Sequence, residues 1–141
     1  FFTEMIMNTW YYLKLYLLTV PVFFAIDLLW LGVIAKDLYQ KNLAHLLSPD
    51  VNWPAAMVFY FMYIAGIILF AVKPAIDAQS MAKAAIWGAL FGFFTYATYD
   101  LTNLATLKDW PIKVVVIDIA WGTVLCTSVA TGSYLISRWL N

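Results

Sequence analysis

The chain has 141 residues, of which 65 % are hydrophobic and 11 % charged, against about half apolar and about a quarter charged in soluble domains. A bilayer is therefore the expected solvent, and at about 20 residues per crossing the length allows four spans and no soluble domain. Eight basic and eight acidic side chains cancel, which excludes a nucleic-acid partner, because that binding needs a row of unopposed Lys and Arg.

The opening residues Phe1 to Ile6 lack a starting Met and a basic leader, so translation is expected to begin at Met5 or Met7. Trp10, Tyr11 and Tyr12 form an interfacial aromatic belt ahead of a first span over about 13–35, within which Pro21 is expected to kink the helix. Residues 36–47 are too polar to cross. There Leu38, Tyr39, Leu43, Leu46 and Leu47 fall opposite Lys36, Gln40 and Lys41, the pattern of a short amphipathic helix on the membrane surface.

Ser48-Pro49-Asp50 breaks that helix. Trp53-Pro54 opens a second span over about 54–72, closed by Lys73-Pro74. A third span is expected over about 82–107, and the turn Lys108-Asp109-Trp110-Pro111 leads to a fourth over about 111–139. The fold class is thus all-α: one transmembrane domain, residues 1–141, built as a four-helix bundle with an interfacial helix between its first two spans. Four spans place both termini on one side. Lys14, Lys73, Lys83 and Arg138 on that side balance Lys36, Lys41, Lys108 and Lys113 on the other, so basic residues do not set the orientation.

Ala84, Gly88 and Gly92 recur every fourth residue in the third span, the small-residue spacing that lets two membrane helices approach closely. Gly122 belongs to a comparable face in the fourth, with Asp118, Leu125, Val129 and Gly132. Tyr96, Tyr99, Asp100 and Asn103 extend the packing face of the third span, so these polar groups should point at protein rather than lipid.

Three carboxyls are the unusual feature. Each aspartate inside a membrane helix costs roughly 2.5–3.5 kcal/mol on insertion scales. Asp27 lies late in the first span, Asp100 late in the third and Asp118 early in the fourth; alternating helix directions put all three in one leaflet. No Lys or Arg lies deep in any span to pair them. They are read either as polar glue between helices, worth about 1 kcal/mol per contact, or as one pocket under the amphipathic helix. The words Ile26-Asp27-Leu28-Leu29-Trp30 and Ile117-Asp118-Ile119-Ala120-Trp121 set an indole near each carboxyl on the same helix. Because both words lie in one leaflet, they read as convergent parts of one site and not as an inverted repeat. The candidate binding set is therefore Asp27, Trp30, Tyr96, Tyr99, Asp100, Asn103, Asp118 and Trp121.

No metal site and no cofactor are expected: Cys126 is the only cysteine and His45 the only histidine, too few converging donors for a metal. Ser128 and Ser133 have no neighbouring histidine, which excludes a hydrolytic triad.

The strings Phe24-Ala25-Ile26-Asp27-Leu28-Leu29-Trp30-Leu31-Gly32, Tyr96-Ala97-Thr98-Tyr99-Asp100-Leu101-Thr102-Asn103-Leu104-Ala105-Thr106 with Trp110-Pro111, and Asp118-Ile119-Ala120-Trp121-Gly122-Thr123 resemble the bacterial membrane proteins grouped as domain-of-unknown-function family 2177. The resemblance covers nearly everything after Tyr11. It implies four helices in a bacterial inner membrane and names no reaction. Three functions are then weighed. The leading one is a non-enzymatic accessory protein that binds a lipid or small apolar ligand, with membrane lipid and a second copy or another membrane protein as partners. The alternatives are a proton-coupled transporter acting as a dimer, and a lipid-modifying enzyme, or its subunit, that uses Asp100 or Asp118 as proton donor.

Overall fold

The computed structural model describes residues 1–141 and contains helices and turns only. Helix α1 spans Phe2–Leu29 and runs on through a π-helical turn, Trp30–Ile34, into the short α2, Lys36–Asn42. Helix α3, Trp53–Ile67, passes through a second π turn, Ile68–Val72, into α4, Lys73–Ala78; α5 covers Met81–Thr106 and α6 Ile112–Leu140.

Several of these boundaries correct the expectations. Helix α1 begins at Phe2 and not near residue 13, because the aromatic belt marks a depth in the bilayer rather than a helix start. Pro21 lies inside this helix. Lys73-Pro74 does not close the second helix. The π turn before it bonds i to i+5, which accommodates a residue that lacks an N–H, and the helix continues to Ala78 before Gln79, at φ 52°, turns the chain. Ser80 then caps α5, its Oγ accepting from Lys83 N at 3.1 Å. The surface helix stops at Asn42 rather than 47. Leu43 stays buried, but Leu46 and Leu47 are exposed.

Three helical stretches are long and apolar enough to cross a membrane: Phe2–Ile34, Trp53–Ala78 and Ile112–Leu140. Helix α5, expected as the third crossing, is not among them. Thr95, Tyr96, Thr98, Tyr99 and Asp100 dilute its apolar content. It nevertheless makes the most extensive helix pairing in the protein, with α6, where Ala84, Gly88 and Gly92 lie buried. A Cβ on Gly88 would stand 2.6 Å from the Cys126 carbonyl oxygen, and one on Gly92 only 2.1 Å from that of Gly122.

The main core joins Leu15 and Phe23 of α1, Ile64 and Ile67 of α3, and Leu125, Cys126, Val129 and Ala130 of α6. Polar pairs also lie inside it; the fully buried hydroxyls of Thr19 and Ser133 bond at 2.8 Å and tie α1 to α6. A smaller core of Leu43, Trp110, Val114 and Val115 holds the end of α2 against the start of α6.

Candidate functional site

Asp27 lies seven residues before Ile34, and Asp100 and Asp118 lie six residues inside the ends of α5 and α6 nearest the 107–111 turn. At 1.5 Å per residue each carboxyl is about 9–10 Å inside the same end of the protein. All three are buried, Asp100 completely.

Two of them are fixed by indoles. The rings of Trp30 and Trp121 stack with centroids 4.4 Å apart and planes 5° from parallel. Trp121 Nε1 donates to Asp27 Oδ1 at 3.3 Å. Trp30 Nε1 donates to Tyr39 Oη at 2.9 Å, and that hydroxyl donates to Asp118 Oδ1 at 2.7 Å. This arrangement corrects the expected pairing of each indole with the acid on its own helix. Stacking in the seam between α1 and α6 carries each N–H past its own helix, so the two similar words are cross-linked through Tyr39 of α2. Burial pushes the Tyr39 phenol above its ordinary pKa, which keeps it a proton donor.

Asp100 differs. Asp118 and Trp110 are the polar side chains that face its carboxyl. Both come within hydrogen-bonding reach of it, but neither carboxyl oxygen meets a well-aligned donor, and the buried Trp110 Nε1 is likewise poorly aligned. Buried polar groups are paired in the great majority of cases. The facing donor and acceptor, and the facing carboxyls that one shared proton would bridge, make this the most polar point of the buried α5–α6 seam.

The other candidate residues surround this pair unevenly. The Tyr96 ring fills the space that the missing side chain of Gly122 leaves, since a Cβ there would meet ring carbons at 2.2 Å. Tyr99 is 56 % exposed and sets its ring against Trp110, centroids 5.9 Å apart at 87°. Asn103 is half-buried one turn further on. Below the acids, Tyr63 Oη bonds to Thr95 Oγ1 at 2.8 Å and to Cys126 Sγ at 3.1 Å. His45 reaches over the top, its Nε2 within 3.1 Å of the Asp109 carbonyl oxygen. Two open cavities, of about 770 and 500 Å³, lie at the opposite end of the protein, beside Tyr12 with Lys73 and beside Arg138.

Sequence reasoning missed Tyr39 and Trp110. The amphipathic pattern makes Tyr39 one apolar position of a surface helix, and the Lys108-Asp109-Trp110-Pro111 turn accounts for Trp110. The available signals were a hydroxyl on the inward face of α2 and an indole one residue before the proline that starts α6.

The strings around Asp27, Asp100 and Asp118 fall within residues 12–135, which match a family model described as "Predicted membrane protein (DUF2177)". The chain belongs to the DUF2177 family. No curated protein and no solved structure matches it. Both stacked indoles, all three acids, Tyr39 and Trp110 lie inside the stretch that defines membership in DUF2177.

Removing the Tyr39 hydroxyl should loosen the cover over this site. Tyr39→Phe leaves Asp118 and Trp30 short of a partner, at a cost of about 1–3 kcal/mol. Hydrogen–deuterium exchange should then quicken through residues 36–47 while the α5–α6 pair keeps its protection. Unchanged exchange in that segment would show that α2 is held by the Leu43–Trp110 packing alone.

Proposed function

We propose that this DUF2177 protein is a single four-span domain of the bacterial inner membrane that binds a lipid or small apolar ligand at the acid cluster in one leaflet, acting as an accessory protein and not as an enzyme. The observation that carries the reading is the gathering of three buried carboxyls, Asp27, Asp100 and Asp118, at one end of the protein with no cation paired to any of them. Carboxyls held that way are costly to bury unless something completes them. Their common depth, beneath α2, favours a built site over scattered polar glue.

Helix α5 supplies the fourth span in this reading. Its 26 residues reach about 39 Å, and its buried glycines and Asp100 turn toward α6. Transport is the weaker alternative. Toward the other leaflet the fully buried polar side chains of α6 stop at Cys126 and resume at Ser133, about 10 Å further along. The core there is lined by Val129, Ala130, Ile64 and Ile67, all fully buried and apolar, which favours binding over proton-coupled transport.

The test is lipid analysis of protein captured directly from membranes into nanodiscs. One lipid class should be enriched near one molecule per chain over the membrane from which it came. A composition equal to the bulk membrane, with no uptake of added lipids, would overturn the reading.

A further inference from the structure

We infer that the cavity beside Arg138, at the end of the protein opposite the acids, seats the phosphate of an anionic phospholipid headgroup. This second lipid contact lies in the other leaflet and stands apart from the acid cluster.

The lining defines the chemistry. The cavity, of about 500 Å³, opens between Ile76 and Gln79, where α4 turns into α5, and Tyr134, Ser137, Arg138 and Asn141 at the end of α6. Its size is that of a ligand site, roughly 300–1,000 Å³. No Asp or Glu side chain lines it. The protein's ion pair joins Lys73 to Asp77, so the Arg138 guanidinium stands without an acidic partner and offers its five N–H donors. Tyr134 is only 5 % exposed, yet the group of this residue that is bonded is its carbonyl, by Ser137 Oγ, and not its hydroxyl. That oxygen is not among the sealed, unpaired polar atoms of the core, so the hydroxyl opens on the cavity that the residue lines. Gln79 adds a side-chain amide from a left-handed turn position, φ 52°, where glycine is the usual residue.

A phosphate has oxygens enough for the Arg138 fork, which binds it bidentately, and for the phenol and the amide as well. A carboxylate spends both oxygens on the fork, and an ammonium meets no anion here. Arg138 also lies in the last turn of α6, where any cation offsets the helix dipole. It is not needed there as a cap for Ser137, whose carbonyl already accepts from Tyr11 Oη at 3.1 Å. A lysine would serve the dipole equally well, and that separates the two roles.

Depth selects a lipid as the carrier. Helix α6, at 29 residues, is about 43 Å long, and a hydrocarbon core of about 30 Å leaves some 6 Å of helix beyond it at each end. Arg138 falls within that last stretch before Leu140, at the level of phospholipid phosphates, while Tyr134 lies one turn deeper, at the boundary.

The test is native mass spectrometry of the full chain released from phosphatidylcholine nanodiscs that contain a minor fraction of phosphatidylglycerol. Wild type should retain phosphatidylglycerol above its share of the membrane. Arg138→Gln should lower that retention by about tenfold, the equivalent of roughly 1.4 kcal/mol, and Arg138→Lys should recover only part of it. Tyr134→Phe, which keeps the buried ring, should also retain less. So should Gln79→Gly, a change that suits the left-handed backbone and leaves the fold intact. Asp100→Leu, at the other end, should retain as much as wild type. Equal retention of the two lipids by wild type, or equal retention of phosphatidylglycerol by wild type and Arg138→Gln, would overturn the inference. Full recovery in Arg138→Lys would reduce the site to unspecific charge, and loss in Asp100→Leu would move the lipid to the acids; either result overturns it too. Thermal melting in detergent separates a lipid from a soluble source of the same group. Protection by inorganic phosphate equal to that by phosphatidylglycerol would overturn the assignment to a headgroup.

Discussion

Gly92→Ala should destabilise the protein by about 3 kcal/mol, at the upper end of what overpacking costs. The added Cβ would lie 2.1 Å from the Gly122 carbonyl oxygen, 2.8 Å from its carbonyl carbon and 2.9 Å from Cys126 Cβ. Two of those atoms are backbone of a helix that cannot yield by rotating a side chain, so α5 must move off α6. That movement would also disturb the acids, because Asp100 and Asp118 face one another across the same pair of helices. Gly32→Ala is the matched control: nothing lies within 4 Å of a Cβ there, and the change should be near neutral. The comparison is made by reversible unfolding in mixed micelles, with both variants against wild type. Equal stability of Gly92→Ala and wild type would mean that the α5–α6 contact is looser than the structure has it.

The same residues show what was legible in the sequence. Gly88 and Gly92 could be read because close helix approach demands small residues at a fixed four-residue interval, a local pattern. The depth of the three aspartates could be read too, since counting residues from a helix end is enough to measure it. What lay beyond reach were relations between helices. Nothing in the word Ile26-Asp27-Leu28-Leu29-Trp30 says that Trp30 will turn to Tyr39 or that Trp121 will serve Asp27; those choices follow from how the α1–α6 seam stacks the two rings. The π turns were equally hidden. The second replaces the expected stop at Lys73-Pro74 with a continuous Trp53–Ala78 span, through a shift of hydrogen-bond register that the apolar pattern does not announce. Tyr39 marks the limit most clearly, because an amphipathic pattern assigns it a face but not a partner 79 residues away.

Asp100→Leu should make the empty protein more stable, by about 1–3 kcal/mol. Most substitutions at a fully buried position destabilise, so the opposite sign is a sharp expectation. It arises because leucine fills nearly the same volume and removes a buried carboxyl whose polar neighbours, Asp118 and Trp110, give it no well-aligned hydrogen bond in return for lost solvation. Trp110 would keep its unmet N–H, so Trp110→Phe in the same background should add a smaller gain. The control is Asp118→Leu, which deletes the acceptor of the Tyr39 hydroxyl and should lower stability, since it strands a buried donor. Thermal or denaturant unfolding in lipid-depleted micelles reads all three. A loss of stability in Asp100→Leu would show that the carboxyl is held by its neighbours and works as packing. A gain, coupled to lost ligand capture, is the pattern of a residue kept at the expense of stability for what it binds, and it would place the function of the chain at Asp100.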